Sequence, residues 1–264
     1  ASDAGVDFRY NATVTELERS GSRVTAVRTD TGERFPADAV ILTTELPDTY
    51  RLLGHTPRRV LSLRPAPSAV VAHIGSRAPG PAADQSHHTI LFGDAWQSTF
   101  HDIIDEGRPM ADTSLLVTRP TAGDPSLAPA GRDLLYVLAP APNTDVGHQD
   151  WDVQRDGYVG HMLDTVRTRL PHLGDDAEVL NVVTPRDWAR QGMAAGTPFA
   201  LAHTFAQTGP FRPANTVRGI DNAVLAGSST VPGVGIPTAI VSGRLAADRI
   251  TGVVTDVRPR TVPK

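Results

Sequence analysis

The sequence predicts an α/β fold with an α+β insertion, and three observations support this prediction. A meander of short strands precedes an unbroken apolar run at Ala39–Leu42. Residues 57–210 form a proline-punctuated region that mixes isolated strands with two helices. Residues 222–240 read as a buried strand, a glycine-containing loop and a helix, so the chain returns to an α/β pattern near its end.

Composition excludes several classes of protein. The chain has 264 residues, enough for one large domain or two modest ones. A net charge of −4 gives no basic field for nucleic acid, and the lack of cysteine excludes disulfides and thiolate chemistry. No apolar run approaches the roughly 18 residues that span a bilayer, and the first residues do not resemble a signal peptide. We therefore expect a cytoplasmic chain.

The first forty or so residues are predicted to form a meander of hairpins. Apolar and polar residues alternate in Ala12–Leu17, and turn residues follow at Ser20–Ser22 and Asp30–Gly32. The run Ala39–Leu42 lacks this alternation, which is typical of a parallel strand buried on both faces. A short helix is predicted at Pro47–Gly54.

The middle region is predicted to carry both strands and helices. Its strands are Ser68–Ile74, Thr89–Phe92, Leu115–Thr118, Leu134–Leu138 and Val179–Val183. Trp96–Glu106 and Trp151–Leu170 place apolar residues at helical spacing, and the second of these helices ends before Pro171. The change in character places domain boundaries after residues 56 and 210.

The glycine loop is the clearest candidate binding site. Gly233 and Gly235 allow the backbone to turn sharply and allow close approach of another molecule. Pro237 suits the first helical position, and the preceding Ile236 cannot cap the helix. An uncapped helix N-terminus behind such a loop suits an anion such as a phosphate. A purely structural strand–turn–helix corner is the alternative.

Two other groups of residues invite catalytic or metal interpretations. His87 and His88 are adjacent, and adjacent side chains on a strand point to opposite faces, so we expect no metal site there. The segment Gly227–Ser229 does not match a nucleophile elbow, because Val231 occupies the position of the final glycine. We therefore expect these serines to bind a ligand or to cap the loop.

The helix beginning at Trp96 carries acidic residues that lie off its apolar stripe, namely Asp102, Asp105 and Glu106. A solvated face explains them better than an acid–base pair does. The stripe itself is predicted to face the core, with contact to a membrane surface as the alternative.

A family resemblance rests on longer motifs. Val224–Gly227 through Ala246–Asp248, with the preceding Gln207–Pro213, resembles the C-terminal signature of bacterial carotenoid desaturases of the phytoene desaturase type. These enzymes belong to the flavin-containing amine oxidoreductase superfamily. A second set of motifs agrees in order and spacing: His87–Ile90, Phe92–Gly93, Ser114–Thr121, Asp124–Pro129, Leu135–Leu138 and Pro142–Asn143.

The resemblance implies a partial FAD-binding Rossmann-like domain, lacking its N-terminal G-x-G-x-x-G unit, plus a mixed-sheet substrate domain. Residues 1–56 and 211–264 would belong to the first domain, and residues 57–210 to the second. Enzymes of this type are about twice as long and open with that unit. The nearest lookalike, Gly233–Thr238, has threonine at the third glycine position. The chain is therefore expected to be a fragment.

The implied activity is FAD-dependent desaturation of a carotenoid precursor such as phytoene, by hydride transfer to flavin. In the superfamily, a strand residue near Val14 offers its backbone to the adenine ring, and the strand end at Thr43 lies close to the nucleotide. An ordinary sheet role is the alternative for both. The full set of implied cofactor contacts is Val14, Thr43, Gly227, Ser228, Gly233, Gly235, Ile236, Pro237 and Thr238.

The resemblance names no catalytic acid or base in this chain. The implied partner is a lipophilic polyene, with peripheral association at the inner face of the membrane and with no metal or nucleic acid. Two alternatives remain open. One is another oxidoreductase of the flavin amine oxidase superfamily, and the other is a non-catalytic, cofactor-free fragment when the chain is isolated.

Overall fold

The computed structural model describes residues 1–78, 86–171, 173 and 176–252. The chain divides into two compact units, the first formed by Ala1–Arg64 with His203–Lys264 and the second by Pro65–Ala202. Both boundaries lie inside the predicted middle domain, and the side chain of Gln207 shows why. It accepts the backbone N–H of Arg64 at 2.6 Å and donates to the Arg64 carbonyl at 3.0 Å. These bonds hold both crossing segments in the first unit.

The structure contains the strands and helices that the sequence predicted, with ends shifted by a few residues. The strands are β1 (Val14–Ser20), β2 (Arg23–Thr29), β3 (Arg34–Pro36), β4 (Val40–Leu42), β5 (Ser68–Arg77), β6 (His88–Leu91), β7 (Leu115–Thr118), β8 (Arg132–Ala141), β9 (Glu178–Val183) and β10 (Ala223–Leu225). The α-helices are α1 (Leu46–Leu52), α2 (Arg58–Leu61), α3 (Trp96–Ile104), α4 (Trp151–Arg169), α5 (Pro185–Arg190) and α6 (Ile236–Thr251). Helices α2 and α5 were not predicted.

In the first unit, β1, β2 and β3 form an antiparallel meander in that order. The side chain of Asn222 joins the meander to the start of β10. Its carboxamide accepts the N–H of Val24 at 2.8 Å and donates to the Val24 carbonyl at 2.7 Å and to the Asp38 carbonyl at 2.7 Å. Because these bonds satisfy buried backbone groups, they fix the meander to the strand that leads into the glycine loop.

Strands β4 and β10 pair in parallel, with Ile41 opposite Val224. Helix α6 packs on this pair through small side chains, and Ala246 is fully buried in a cluster with Val224 and Ala226. The prediction that the β4 run is buried on both faces is wrong at Ile41, which is 42% exposed. Within the described residues β4 pairs only with β10, and no described element packs over the side chain of Ile41 closely enough to bury it.

The second unit is built on a five-stranded antiparallel sheet with strand order β6-β7-β8-β5-β9. One face packs on α4 to form the main core, in which Ile74, Leu135, Val137 and Met162 are fully buried. The alternation along β8 follows from this packing, since every second residue enters the core. The residues between them lie on the opposite face.

Helix α3 faces the core, as predicted, because Ile103 is 1% exposed and belongs to the main core. Among its acidic residues, Asp102 forms an ion pair with Arg108 at 2.8 Å, and Oδ2 of Asp105 lies 3.0 Å from Nδ1 of His101. These contacts agree with a solvated face. Among the described residues, no helix has the length and hydropathy that crossing a bilayer requires.

Candidate functional site

The glycine loop lies at the carboxyl ends of β4 and β10. The N–H of Ala226 donates to the carbonyl of Leu42 at 3.0 Å, so the two parallel strands end side by side. A Cβ added at Gly227 would stand 3.9 Å from the carbonyl oxygen of Thr43. The structure therefore brings together Thr43 and the loop, at the edge of a parallel sheet where α/β domains bind their ligands.

Three loop glycines adopt conformations that other residues rarely take. Their φ angles are +123° at Gly227, +151° at Gly233 and +111° at Gly235. A Cβ at Gly235 would meet only Oγ1 of Thr238 at 3.5 Å and Cδ of Pro237 at 4.0 Å. Apart from these two atoms and the glycine's chain neighbours, no atom lies within 4 Å of that position, so the space in front of Gly235 is largely open. Glycines with open space beside them allow a ligand to approach the main chain closely.

Helix α6 begins at Ile236, with Gly235 as its N-cap, so Pro237 occupies the second helical position instead of the predicted first. No side chain caps this end, and its first turn contains no acidic residue. The Thr238 hydroxyl donates to carbonyls of its own loop, at 2.7 Å to Val234 and 2.9 Å to Gly235. The partial positive charge of the helix end is therefore available to a negatively polarised ligand edge.

A network of buried polar side chains holds the loop in place. The Nδ2 group of Asn215 lies 3.0 Å from the Leu225 carbonyl and 3.1 Å from Oγ of Ser242. The Ser242 hydroxyl accepts the N–H of Gly227 at 3.1 Å and lies 3.0 Å from Oγ1 of Thr230. Because Asn215, Thr230 and Ser242 are each at most 2% exposed, this network holds the loop in one conformation.

Glu45 and Arg212 also contact the loop, and the sequence did not single out either of them. The hydroxyl of Ser229 donates to Oε2 of Glu45 at 3.1 Å, so this serine is engaged within the protein. Arg212 is 3% exposed and donates to carbonyls of the loop. The one sequence feature that could have identified Arg212 is its place in the motif Gln207–Pro213, which is part of the family resemblance.

The environment of the Glu45 carboxyl couples its protonation to the stability of the fold. Burial raises the pKa of its carboxyl, the hydrogen bond from Ser229 opposes that rise, and the charge of Asp48 adds to it. A raised folded-state pKa means that the protonated carboxyl stabilises the fold below the unfolded-state pKa. That stabilisation is lost as the pH rises through the folded-state pKa.

We therefore expect Glu45→Gln to raise the melting temperature at neutral pH, since the amide keeps an acceptor for Ser229 and carries no charge. The gain should shrink as the pH falls toward about 4, where the wild-type carboxyl is protonated in both states. Thermal melts from about pH 4 to about pH 8 measure this. Glu16→Gln, at a residue whose side chain is 61% exposed, is the matched control. A difference that does not vary with pH would contradict the expectation.

The described pairing of Val14 is within the meander and does not connect it to the loop. Val14 begins β1 and pairs with Thr29 in the meander. The residue that ties the meander to β10 is Val24, at the other end of β2. The predicted contact of Val14 with adenine stays a prediction, as do the cofactor contacts assigned to the loop.

The prediction that the side chains of His87 and His88 point to opposite faces of a strand is wrong. His87 precedes β6 and only His88 lies in the strand, so the two rings do not point to opposite faces. Their centroids are 4.3 Å apart in an edge-on arrangement, and Nδ1 of His88 lies 2.9 Å from Oγ1 of Thr118. Among the described residues, no group of three His, Asp or Glu side chains could hold a metal ion.

The sheet face of the second unit that lies opposite the main core is incompletely buried, and it carries many apolar residues beside polar ones such as His73, Thr118 and Asn181. We call its apolar part the half-buried sheet face, and it comprises Ile90, Leu116, Leu134, Tyr136, Leu138 and Leu180. Strand pairing places Ile90, Leu116 and Leu138 in one row, and Leu180 lies 3.5 Å from a Cβ built at Gly75. Antiparallel sheets with one face in the core usually present polar residues on the other. A second face with this many apolar residues is typical of a surface that binds an apolar partner.

The loop thus joins a parallel strand pair to an uncapped helix end. The chain belongs to the flavin containing amine oxidoreductase family, whose model matches residues 1–251. Within that family its sequence matches the phytoene desaturase type. It is 57% identical to a phytoene dehydrogenase from Streptomyces griseus, over all of this chain and 52% of that protein. It is 37% identical to the zeta-carotene-forming phytoene desaturase from Myxococcus xanthus, over 95% of this chain and 49% of that protein.

Solved structures share the fold at low sequence identity. An oxidoreductase from Methanosarcina mazei superposes with a TM-score of 0.60 at 14% identity, covering 90% of this chain and 49% of that one. The PF1083 protein from Pyrococcus furiosus gives a TM-score of 0.52 at 14% identity, covering 91% and 46%. The chain spans about half the length of the relatives it matches.

Proposed function

We propose that this chain is part of a longer FAD-dependent oxidoreductase that desaturates a carotenoid precursor such as phytoene. The glycine loop carries the proposal, because it combines an uncapped helix end with three positive-φ glycines, none of which would meet another atom closer than 3.5 Å through an added Cβ. The 57% identity to a phytoene dehydrogenase, over half that protein's length, supports the reaction class. In this proposal the meander, the β4–β10 pair and α6 are part of a Rossmann-like FAD domain whose G-x-G-x-x-G unit lies outside the chain.

The half-buried sheet face supports a lipophilic substrate. Its side chains offer hydrocarbon and the ring of Tyr136, which contacts His73 edge-on at 5.4 Å between centroids. A long polyene has no groups for hydrogen bonding, so its affinity must come from apolar area removed from water. The same chemistry supports delivery of the substrate from a membrane, with the protein bound peripherally.

The chain's own residues would bind and orient the reactants. When bound, flavin would supply the redox chemistry by accepting a hydride from an allylic carbon of the polyene, and the neighbouring carbon would lose a proton so that the new double bond forms. The loop backbone from Gly233 to Thr238 would hold the polar edge of the ring system, with the positive end of α6 directed toward it. The half-buried sheet face would hold the hydrocarbon and exclude water. No side chain of the described site is assigned as catalytic acid or base.

The test uses the full-length protein, meaning this chain joined to the part of its relatives' length that it does not cover. Purified protein supplied with FAD and phytoene in liposomes should show flavin absorbance and yield products with longer conjugation. Absence of both would overturn the proposal. Peroxide formation from amines without polyene turnover would assign a different oxidase activity. A scan of the isolated chain, in which no bound flavin is expected, checks the proposal that the missing part supplies most of the FAD affinity.

A further inference from the structure

Arg212 is a buried cation that reaches the glycine loop. Its side chain is 3% exposed, and its Nε donates to the carbonyl of Thr230 at 3.1 Å. Its two terminal nitrogens donate to the carbonyls of Ser228 and Gln207. A Cβ at Gly233 would stand 3.8 Å from Nε, so the guanidinium also lies directly behind that glycine. One side chain thus contacts the loop on both sides of the turn from Ser228 to Gly233.

The charge of Arg212 is not balanced by an acidic side chain. Within the described part of the chain, its contacts are carbonyl oxygens and no carboxylate pairs with it. Burial lowers the pKa of its guanidinium, with no opposing effect from a neighbouring acid. The carboxyl that does reach the loop, that of Glu45, is bound by Ser229. Arginine remains protonated under such conditions, so a full positive charge sits behind the loop.

An unpaired buried charge is unusual because desolvation costs several kcal/mol and carbonyl dipoles compensate only part of it. Such a charge is retained where a ligand supplies the opposite charge or where the protein needs the field. The uncapped end of α6 adds positive potential at the same loop. Both features favour a ligand that is negative or becomes negative. Reduced flavin is an anion at neutral pH, whereas the oxidised ring system is neutral.

We propose that Arg212 is the positioning residue of the flavin site. It fixes the loop from Ser228 to Gly233 through its three carbonyl contacts, and its charge favours the reduced, anionic flavin over the oxidised form. This inference rests on the proposed function, since it assigns a residue to the same cofactor. Arg212 would have two separate effects. Its planar guanidinium group, with several N–H donors, holds the conformation of the loop, and its positive charge sets the preference between the redox states of the flavin.

Two substitutions in the full-length protein distinguish these effects. Arg212→Lys keeps the charge and loses the planar guanidinium group, so FAD affinity should fall about tenfold with little change in reduction potential. Arg212→Met loses both, so affinity should fall further and the preference for reduced flavin should fall at least tenfold. For a two-electron couple a tenfold change is about 30 mV in midpoint potential. Sulfite, which forms an anionic flavin adduct, should bind Arg212→Met more weakly by a similar factor.

The matched control is Arg244→Met on α6, where the side chain is 55% exposed and lies 3.9 Å from Asp248. It should leave FAD affinity, potential and sulfite binding unchanged. An Arg212→Met protein that retains the wild-type potential and sulfite affinity would overturn the inference while the proposed function stands. A wild-type protein that binds no flavin would overturn both. If Arg212→Met does not fold, Arg212→Lys decides, because equal FAD affinity in that variant contradicts the role of the planar guanidinium group.

Discussion

Replacing Gly235 with valine is expected to remove FAD from the full-length protein while leaving most of it folded. The structure shows that a Cβ here would meet no protein atom closer than 3.5 Å. The added side chain would therefore project into the largely open space in front of the loop. Occupancy should fall below about a tenth of the wild-type value, because closest approach between ring and backbone is lost.

The same substitution also strains the backbone. Gly235 has φ +111° and ψ 154°, a region essentially reserved for glycine, and forcing another residue into it costs on the order of 1–3 kcal/mol. Gly219→Val controls for this cost, since Gly219 has φ +79° with nothing within 4 Å of its Cβ position and lies outside the loop. Both variants should melt a few degrees lower than wild type.

Flavin content and melting temperature measured on the same samples separate the two interpretations of the loop. Loss of FAD from Gly235→Val, with FAD kept in Gly219→Val, supports a cofactor cradle. Equal flavin stoichiometry in the two surviving proteins would show that the loop is only a structural corner. Gly235→Ala adds a smaller side chain at similar strain, so it should retain more flavin than the valine variant does.

Elements with a strong local pattern were predictable from the sequence. Strand β7 was predicted with its observed bounds, Leu115–Thr118, because a short apolar run that ends in the β-branched residues Val117 and Thr118 stands in a proline-punctuated region. The end of α4 was predicted to within a residue because Pro171 follows it. Helix α5 was missed although its start was readable: Thr184 and Asp187 form a capping box around Pro185. Only six residues follow, too few for an apolar period to show.

The site was predictable where the signal lay in one segment. The glycines and Pro237 were identified because turn chemistry requires those residues at those positions. The supporting side chains were not, because their partners are distant in sequence. Arg212 contacts residues 16 and 18 positions away, and Asn215 contacts Ser242 across 27 positions. No local pattern marks such pairs.

The exposure of Ile41 was not predictable for a related reason. An apolar run indicates burial on both faces, but burial depends on what covers the sheet. The described part of the chain supplies β10 as the only partner strand and α6 as a packing helix. The run itself was read correctly as a parallel strand, since its pairing with β10 has that sense.

Adjacent substitutions on β8 are expected to produce opposite defects. Val137 is fully buried in the main core, whereas Leu138 belongs to the half-buried sheet face. An aspartate at Val137 would place a charge in the core without a partner, which costs several kcal/mol, so Val137→Asp should fail to fold. Leu138→Asp can leave its carboxylate at the incompletely buried face, so it should lose only about 1 kcal/mol of stability.

The effect of Leu138→Asp on activity should be far larger than its effect on stability. A polyene that covers the new carboxylate must strip its water, and about 3 kcal/mol of lost binding corresponds to roughly a hundredfold lower kcat/KM. FAD content should stay at the wild-type level, because the flavin contacts are assigned to the first unit.

Leu138→Met keeps the apolar surface and should remain active. Absorbance of the conjugated product, flavin absorbance and thermal melts give the three quantities on one preparation. If Leu138→Asp binds FAD, folds and turns over phytoene at the wild-type rate, the polyene lies elsewhere. If Leu138→Asp folds and binds FAD but no longer turns over phytoene, the half-buried sheet face is the surface on which the substrate is held.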